Sequence, residues 1–79
     1  MKAKIIIMPK RTVLDPQGKT VKNALESLNL TGIKDVRVGK FIEIDMAAGQ
    51  RAELEKKLDK ACREFLSNPV IEEYSLELE

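Results

Sequence analysis

The chain has no histidine in its 79 residues. That excludes Ser–His and Cys–His nucleophile pairs, an imidazole general base and histidine metal sites. One cysteine, Cys62, can close no internal disulfide and cannot hold zinc by itself. An unpaired thiol fits a reducing compartment, so the expected location is the cytoplasm. Aromatic residues are scarce: Phe41, Phe65 and Tyr74 are the whole set. Small α+β sheets bind single-stranded nucleic acid by stacking bases on aromatics, and this set offers too few platforms. No apolar run approaches the roughly 18 residues of a membrane span. The four apolar residues Ile5–Met8 are also too short for a secretory signal. Neither nucleic acid nor membrane is an expected partner.

Phosphate loops are missing too. The stretch "DPQGKT" (15–20) ends like one, but the first glycine and its spacer are absent. Gly18 is read as relaxing a first helical turn and Lys19 as solvated. The free N–H groups of that helix start leave a weaker possibility, the docking of an anion. Carboxylates such as Glu72, Glu73, Glu77 and Glu79 fall on an alternating segment that splits neighbours between faces. Paired-acid catalysis needs two of them converging in a cleft, so a solvated, aggregation-resistant edge is the better reading.

What remains is one small, ordinary, globular domain over residues 1–79. It is 43% hydrophobic and 34% charged, with a formal net charge of +1. A domain this short buries only about 60% of its unfolded surface, and oligomerisation is a common remedy. Residues 1–40 carry nine Lys/Arg and three Asp/Glu, whereas residues 41–79 carry five and ten. In a layered domain this asymmetry predicts ion pairs between elements; a basic partner-binding patch is the sharper alternative.

Lys2–Met8 reads as a central strand, apolar on both faces and ended by Pro9. Asp15-Pro16 is a helix start: an N-cap acceptor, then a residue with no N–H to satisfy. Val21, Ala24, Leu25 and Leu28 make one apolar stripe, and Asn29–Gly32 ends the helix. Residues 36–46, "VRVGKFIEIDM", alternate as a strand, roughly 36 Å long at about 3.3 Å per residue. Lys40 interrupts its apolar row, and Phe41 stands on the face that ought to be wet. A strand longer than its domain needs is one available for pairing. Arg51–Leu66 is helical, with Leu54, Leu58, Ala61 and Phe65 as its stripe and Cys62 beside them. Asn68-Pro69 stops it. Val70, Glu72, Tyr74, Leu76 and Leu78 then share one face of a last strand. The predicted fold is α+β, a two-layer sandwich in β-α-β-α-β order. Its three-stranded sheet carries two helices on one face, like half of a ferredoxin-like fold.

Four stretches, "VLDPQG" with "AL" (13–18 and 24–25), "DVRVGK" (35–40), "AC" (61–62) and "NPVIEEY" (68–74), together resemble the PurS family. Its members are small subunits of phosphoribosylformylglycinamidine synthase. The resemblance covers essentially the whole chain. It implies a non-catalytic accessory subunit that dimerises and joins a large synthetase subunit to a glutaminase subunit, supporting ammonia transfer in the fourth step of purine synthesis. It also implies that this chain holds no cofactor or metal, while the complex uses ATP and Mg. The expected interface residues are Asp15, Pro16 and Gly18 at the helix start, Arg37, Gly39, Lys40 and Phe41 in the second strand, and Asn68, Pro69 and Tyr74. Phe41 is expected to meet another chain, and Lys40 to reach the sheet rim for a partner's carboxylate or carbonyl. The competing reading is a stand-alone module binding a small metabolite, which would need a pocket with convergent polar groups.

Overall fold

A computed structural model describes all residues, Met1–Glu79. Strand β1 (Lys2–Pro9) runs between β2 (Lys40–Asp45) and β3 (Glu72–Leu78), in the order β2-β1-β3, antiparallel to both. Between strands lie helix α1 (Pro16–Ser27) and helix α2 (Arg51–Ala61), the latter continued by a π turn, Cys62–Leu66. Class, element order, strand number and the central place of β1 are as the sequence predicts.

Period-2 alternation sorts the side chains. Ala3, Ile5 and Ile7 of β1 share a face with Ile42 and Ile44 of β2 and with Tyr74, Leu76 and Leu78 of β3. Leu58 packs on Ala3 and Leu78, and Cys62 on Ile5 and Ile7, so α2 and its π turn cover this face. Fully burying an Ile contributes about 1.5–3 kcal/mol, and Ile5 and Ile7 are the largest fully buried side chains besides Cys62. Arg51 ties the start of α2 to the carbonyl of Leu78.

Four expectations are corrected. First, β1 is central but covered on one face only: Ile6 is 47% exposed, because no layer lies over the other face. Second, the second strand is six residues, about 20 Å, not eleven. Residues 36–39 are used elsewhere, as described below. Third, the α2 stripe changes track. The N–H of Ser67 reaches the carbonyl of Cys62, an i→i+5 bond, and the wider turn carries the buried row through Leu54, Leu58, Cys62 and Leu66. Phe65, the expected end of the stripe, is thrown outward and stands 73% exposed.

Fourth, α1 does not lie on the sheet. None of its residues joins either core cluster, and Val21 and Leu28 of its apolar stripe are exposed. The molecule measures 49 × 24 × 15 Å with a radius of gyration of 16.0 Å. A compact chain of this length would have about 12 Å. One helix is enough for a three-stranded sheet with four buried residues, Ala3, Ile5, Ile7 and Leu78, and α1 is left beside it.

Candidate subunit interface

Asp15 is the N-cap of α1, with its backbone extended as a cap requires. Oδ1 accepts the N–H of Gly18 at 3.0 Å, while Oδ2 accepts the N–H of Val38 at 2.8 Å. One carboxylate thus closes the helix start and fastens it to the segment entering β2. These N–H groups, first that of Val38 and then that of Gly18, hold its carboxyl below the usual carboxylate range. At this helix start the free N–H of Gly18 is thus taken up by the chain's own carboxylate.

Gly18 is buried, and its role differs from the one expected. A Cβ there would lie 2.0 Å from the Val36 carbonyl oxygen, so glycine permits close backbone approach rather than a relaxed turn. Gly39 is similar: a Cβ would meet the Ile7 carbonyl oxygen at 2.4 Å and the Met8 sulfur at 2.3 Å. Arg37 donates from Nη1 to the Pro9 carbonyl at 3.0 Å and stands 3.6 Å from Glu73. Residues 36–39 are therefore a clasp between α1 and β1, which is why they are not strand. Asp15, Pro16, Gly18, Arg37 and Gly39 belong to this one region.

Lys40, Asn68 and Pro69 lie at the end of the sheet nearest the helix-to-β3 turn. Lys40 is opposite Ile7, on the α2-covered face but largely exposed. Its ammonium is 3.9 Å from Glu72, whose other oxygen accepts the Asn68 N–H at 2.8 Å. The carboxylate expected from a partner is thus present within the chain. Glu72 links these residues. Alternation sets it on the face of Tyr74, Leu76 and Leu78, apart from Glu73, but its approach to Lys40 depends on the strand register, which the sequence reading of a solvated edge did not contain. Asn68 also accepts the Val70 N–H on its side-chain oxygen at 3.1 Å, so it builds the turn before β3.

Tyr74 points toward α2. Its hydroxyl donates to Asp59 at 2.5 Å, and that bond, with burial, raises the phenol above its usual range. Tyr74 is half-buried and does not join the open face.

Phe41 does. It is 57% exposed and pairs with Ile6 across the ladder, with Met8 next along β1. The open face is divided lengthwise. Towards the strand termini at Lys2 and Glu79 it carries the ion pairs Lys2–Glu43 at 3.1 Å and Lys4–Glu79 at 2.7 Å. At the other end it presents Ile6 and Phe41 uncovered. Ile6 and Met8 were missed because a continuous apolar run was read as burial on both faces.

No group of three or more His, Cys, Asp or Glu side chains is placed to hold a metal ion. No helix is long and apolar enough to cross a membrane. Burial pushes the Cys62 thiol up, with Asp59 adding to the effect, which opposes thiolate chemistry.

The chain and its fold are similar to those of known proteins. Residues 2–79 match the family model PurS, phosphoribosylformylglycinamidine (FGAM) synthase. The chain is 38% identical over 78 residues to the phosphoribosylformylglycinamidine synthase subunit PurS of Bacillus subtilis, covering 99% of this chain and 92% of that one. With the Methanocaldococcus jannaschii subunit it is 35% identical, covering 99% and 94%. The B. subtilis PurS crystal structure superposes with a TM-score of 0.86 at 38% identity, over 99% of this chain and 96% of that one. A structure of PurLQS from Thermotoga maritima contains a chain that matches with a TM-score of 0.83 at 33% identity, over 96% and 93%. Fold, residue pattern and full-length similarity coincide, and the chain belongs to the PurS family of FGAM synthase subunits.

Proposed function

We propose that this chain is a non-catalytic accessory subunit of a multisubunit FGAM synthase in purine biosynthesis. In this reading it forms a homodimer, or a dimer of dimers, in the cytoplasm. It joins a large synthetase subunit to a glutaminase subunit and supports transfer of glutamine-derived ammonia between them. It holds no cofactor itself, and ATP and Mg are used by the rest of the complex. The observation that carries the reading is the uncovered apolar surface: Ile6 and Phe41 on the open sheet face and the free stripe of α1. A domain that buries eight residues and leaves this much apolar surface in water gains stability by burying it against other chains. The M. jannaschii relative is described as one of the subunits of formylglycinamide ribonucleotide amidotransferase in the purine biosynthetic pathway, which supports the same role.

The test is reconstitution. The isolated protein is expected to show no ligase, glutaminase or ATPase activity, and to co-elute with the synthetase and glutaminase subunits on a sizing column. Adding it to them should raise glutamine-dependent activity far more than activity with free ammonia. Equal stimulation with ammonia would refute a coupling role. Failure to co-elute under any ligand condition would refute the accessory-subunit reading altogether.

A further inference from the structure

The charge asymmetry of the two halves is only partly absorbed by the fold. Lys2, Lys4, Arg37 and Lys40 of the basic half each pair with a carboxylate of the acidic half. The remaining ion pairs, Glu53–Lys57, Lys60–Glu64 and Asp59–Arg63, are internal to α2 and its π turn. Arg11, Lys19 and Lys22 have no carboxylate within 4.0 Å. All three line one cleft of about 320 Å³, together with Arg37, and the cleft is formed by three segments. Arg11 comes from the β1–α1 loop, Lys19 and Lys22 from α1, and Arg37 from the clasp before β2.

Two carboxylates, Asp15 and Asp35, share this cleft with the four cations, and Glu73 stands 3.6 Å from one of them, Arg37, leaving a surplus of one positive charge. Asp15 is already committed to the N–H groups of Gly18 and Val38. Arg37 is held in place through the Pro9 carbonyl, so its guanidinium is pre-positioned rather than floppy. Three free cations gathered around one concavity repel each other, and a dense anion relieves that repulsion. A phosphate group carries a charge of about −1.5 to −2 near neutral pH, enough to answer the three cations that no carboxylate pairs, and it accepts from both guanidinium and ammonium donors. The volume lies at the low end of small-ligand pockets, and six of the ten lining residues are charged.

We propose that the cleft between α1 and the clasp binds a phosphate group, either the inorganic ion or a phosphate monoester of a small metabolite, through Arg11, Lys19, Lys22 and Arg37. Bound there, the anion bolts α1 to the body of the domain, which otherwise holds it through Asp15 and the close contact at Gly18. The titration is made on the chain alone, so its outcome is read separately from whether the chain joins a larger complex.

The experiment is titration of the full chain with inorganic phosphate and with glycerol phosphate. It follows backbone amide shifts and calorimetric heat, with sodium chloride at matched ionic strength as the blank. Saturable binding with shifts centred on residues 11–22 and 35–37 is expected. The double variant Lys19→Ala/Lys22→Ala should bind at least about tenfold more weakly, while Lys56→Ala/Lys57→Ala, removing two cations from α2, should change affinity by less than about twofold. Far-ultraviolet dichroism of both variants confirms that they fold. Tighter binding of glycerol phosphate identifies a monoester as the natural occupant, and equal binding identifies the inorganic ion. Non-saturating shifts, equal losses in both double variants, or binding of a glutamate-rich peptide with none of phosphate would overturn the assignment.

Discussion

Asp15 is the residue on which most of α1's attachment depends, because its two oxygens serve the helix start and the β2 entry at once. Replacing it with Ala removes both bonds and should lower Tm by about 4–8 °C, measured by thermal denaturation. The pH dependence follows from its depressed carboxyl. Since the folded value lies below the unfolded one, Asp15 contributes fully above the unfolded pKa, and the contribution is lost as pH falls through the folded pKa. The stability gap between wild type and Asp15→Asn should therefore be widest at neutral pH and narrow under acid; a gap that widens on acidification would contradict the assignment. Gly18→Ala places a methyl group 2.0 Å from the Val36 carbonyl oxygen and should cost about 1–3 kcal/mol in urea unfolding. Cys62→Ser sets a hydroxyl among Ile5 and Ile7 and should cost about 1–3 kcal/mol while leaving the activity of the assembled complex unchanged.

At the scale of the element, the π turn decides which side of the second helix faces the sheet after Cys62. An uninterrupted α-helix would bury Phe65 and expose Leu66; the i→i+5 bond reverses them. Serine substitutions read this directly. Phe65→Ser should change stability by no more than about 0.5 kcal/mol, as expected of an exposed position. Leu66→Ser should cost about 1–2 kcal/mol, since it removes an apolar side chain packed on Ile5, Ile7 and Cys62. The opposite ranking, from denaturant titration of the two variants, would mean that the turn is α-helical in solution.

The molecule as a whole is elongated, with a radius of gyration of 16.0 Å, and leaves faces of α1 and the sheet uncovered. The proposed homodimer, with residues 36–46 at or near the contact, is a way to bury them. Because β2 is a sheet edge, it can pair or pack there without disturbing β1. Burying one Phe contributes about 1.5–3 kcal/mol, and a two-fold contact counts it twice. Phe41→Ser should weaken the dimer at least tenfold in sedimentation equilibrium, with far-ultraviolet dichroism near that of wild type. Lys40→Ala, whose own partner Glu72 is in the same chain, should disturb binding of the larger subunits more than the dimer. A wild type that stays monomeric at high micromolar concentration would refute the dimer.

Local rules sufficed for much of this protein. Period-2 alternation placed Ile42, Ile44 and Leu76 in a core face, Asp15-Pro16 marked the start of α1, and Asn68-Pro69 marked the end of the helical segment 51–66, because each is decided by neighbours in the chain. The absence of histidine and the single cysteine narrowed the chemistry before any fold was known. What local rules could not reach were contacts between segments far apart in sequence. The Val36 carbonyl pressing on Gly18, and Asp15 accepting from Val38, turned half of an apparent strand into a clasp. The π turn exchanged Phe65 for Leu66 by a single hydrogen bond that periodicity cannot register. Glu72 of the same chain stands 3.9 Å from Lys40. Above all, the apolar stripe of α1 predicts burial without saying against what, since amphipathicity is a property of one helix and its partner is a property of the packed molecule. In this chain the sheet is already covered by α2, and the stripe of α1 is left uncovered.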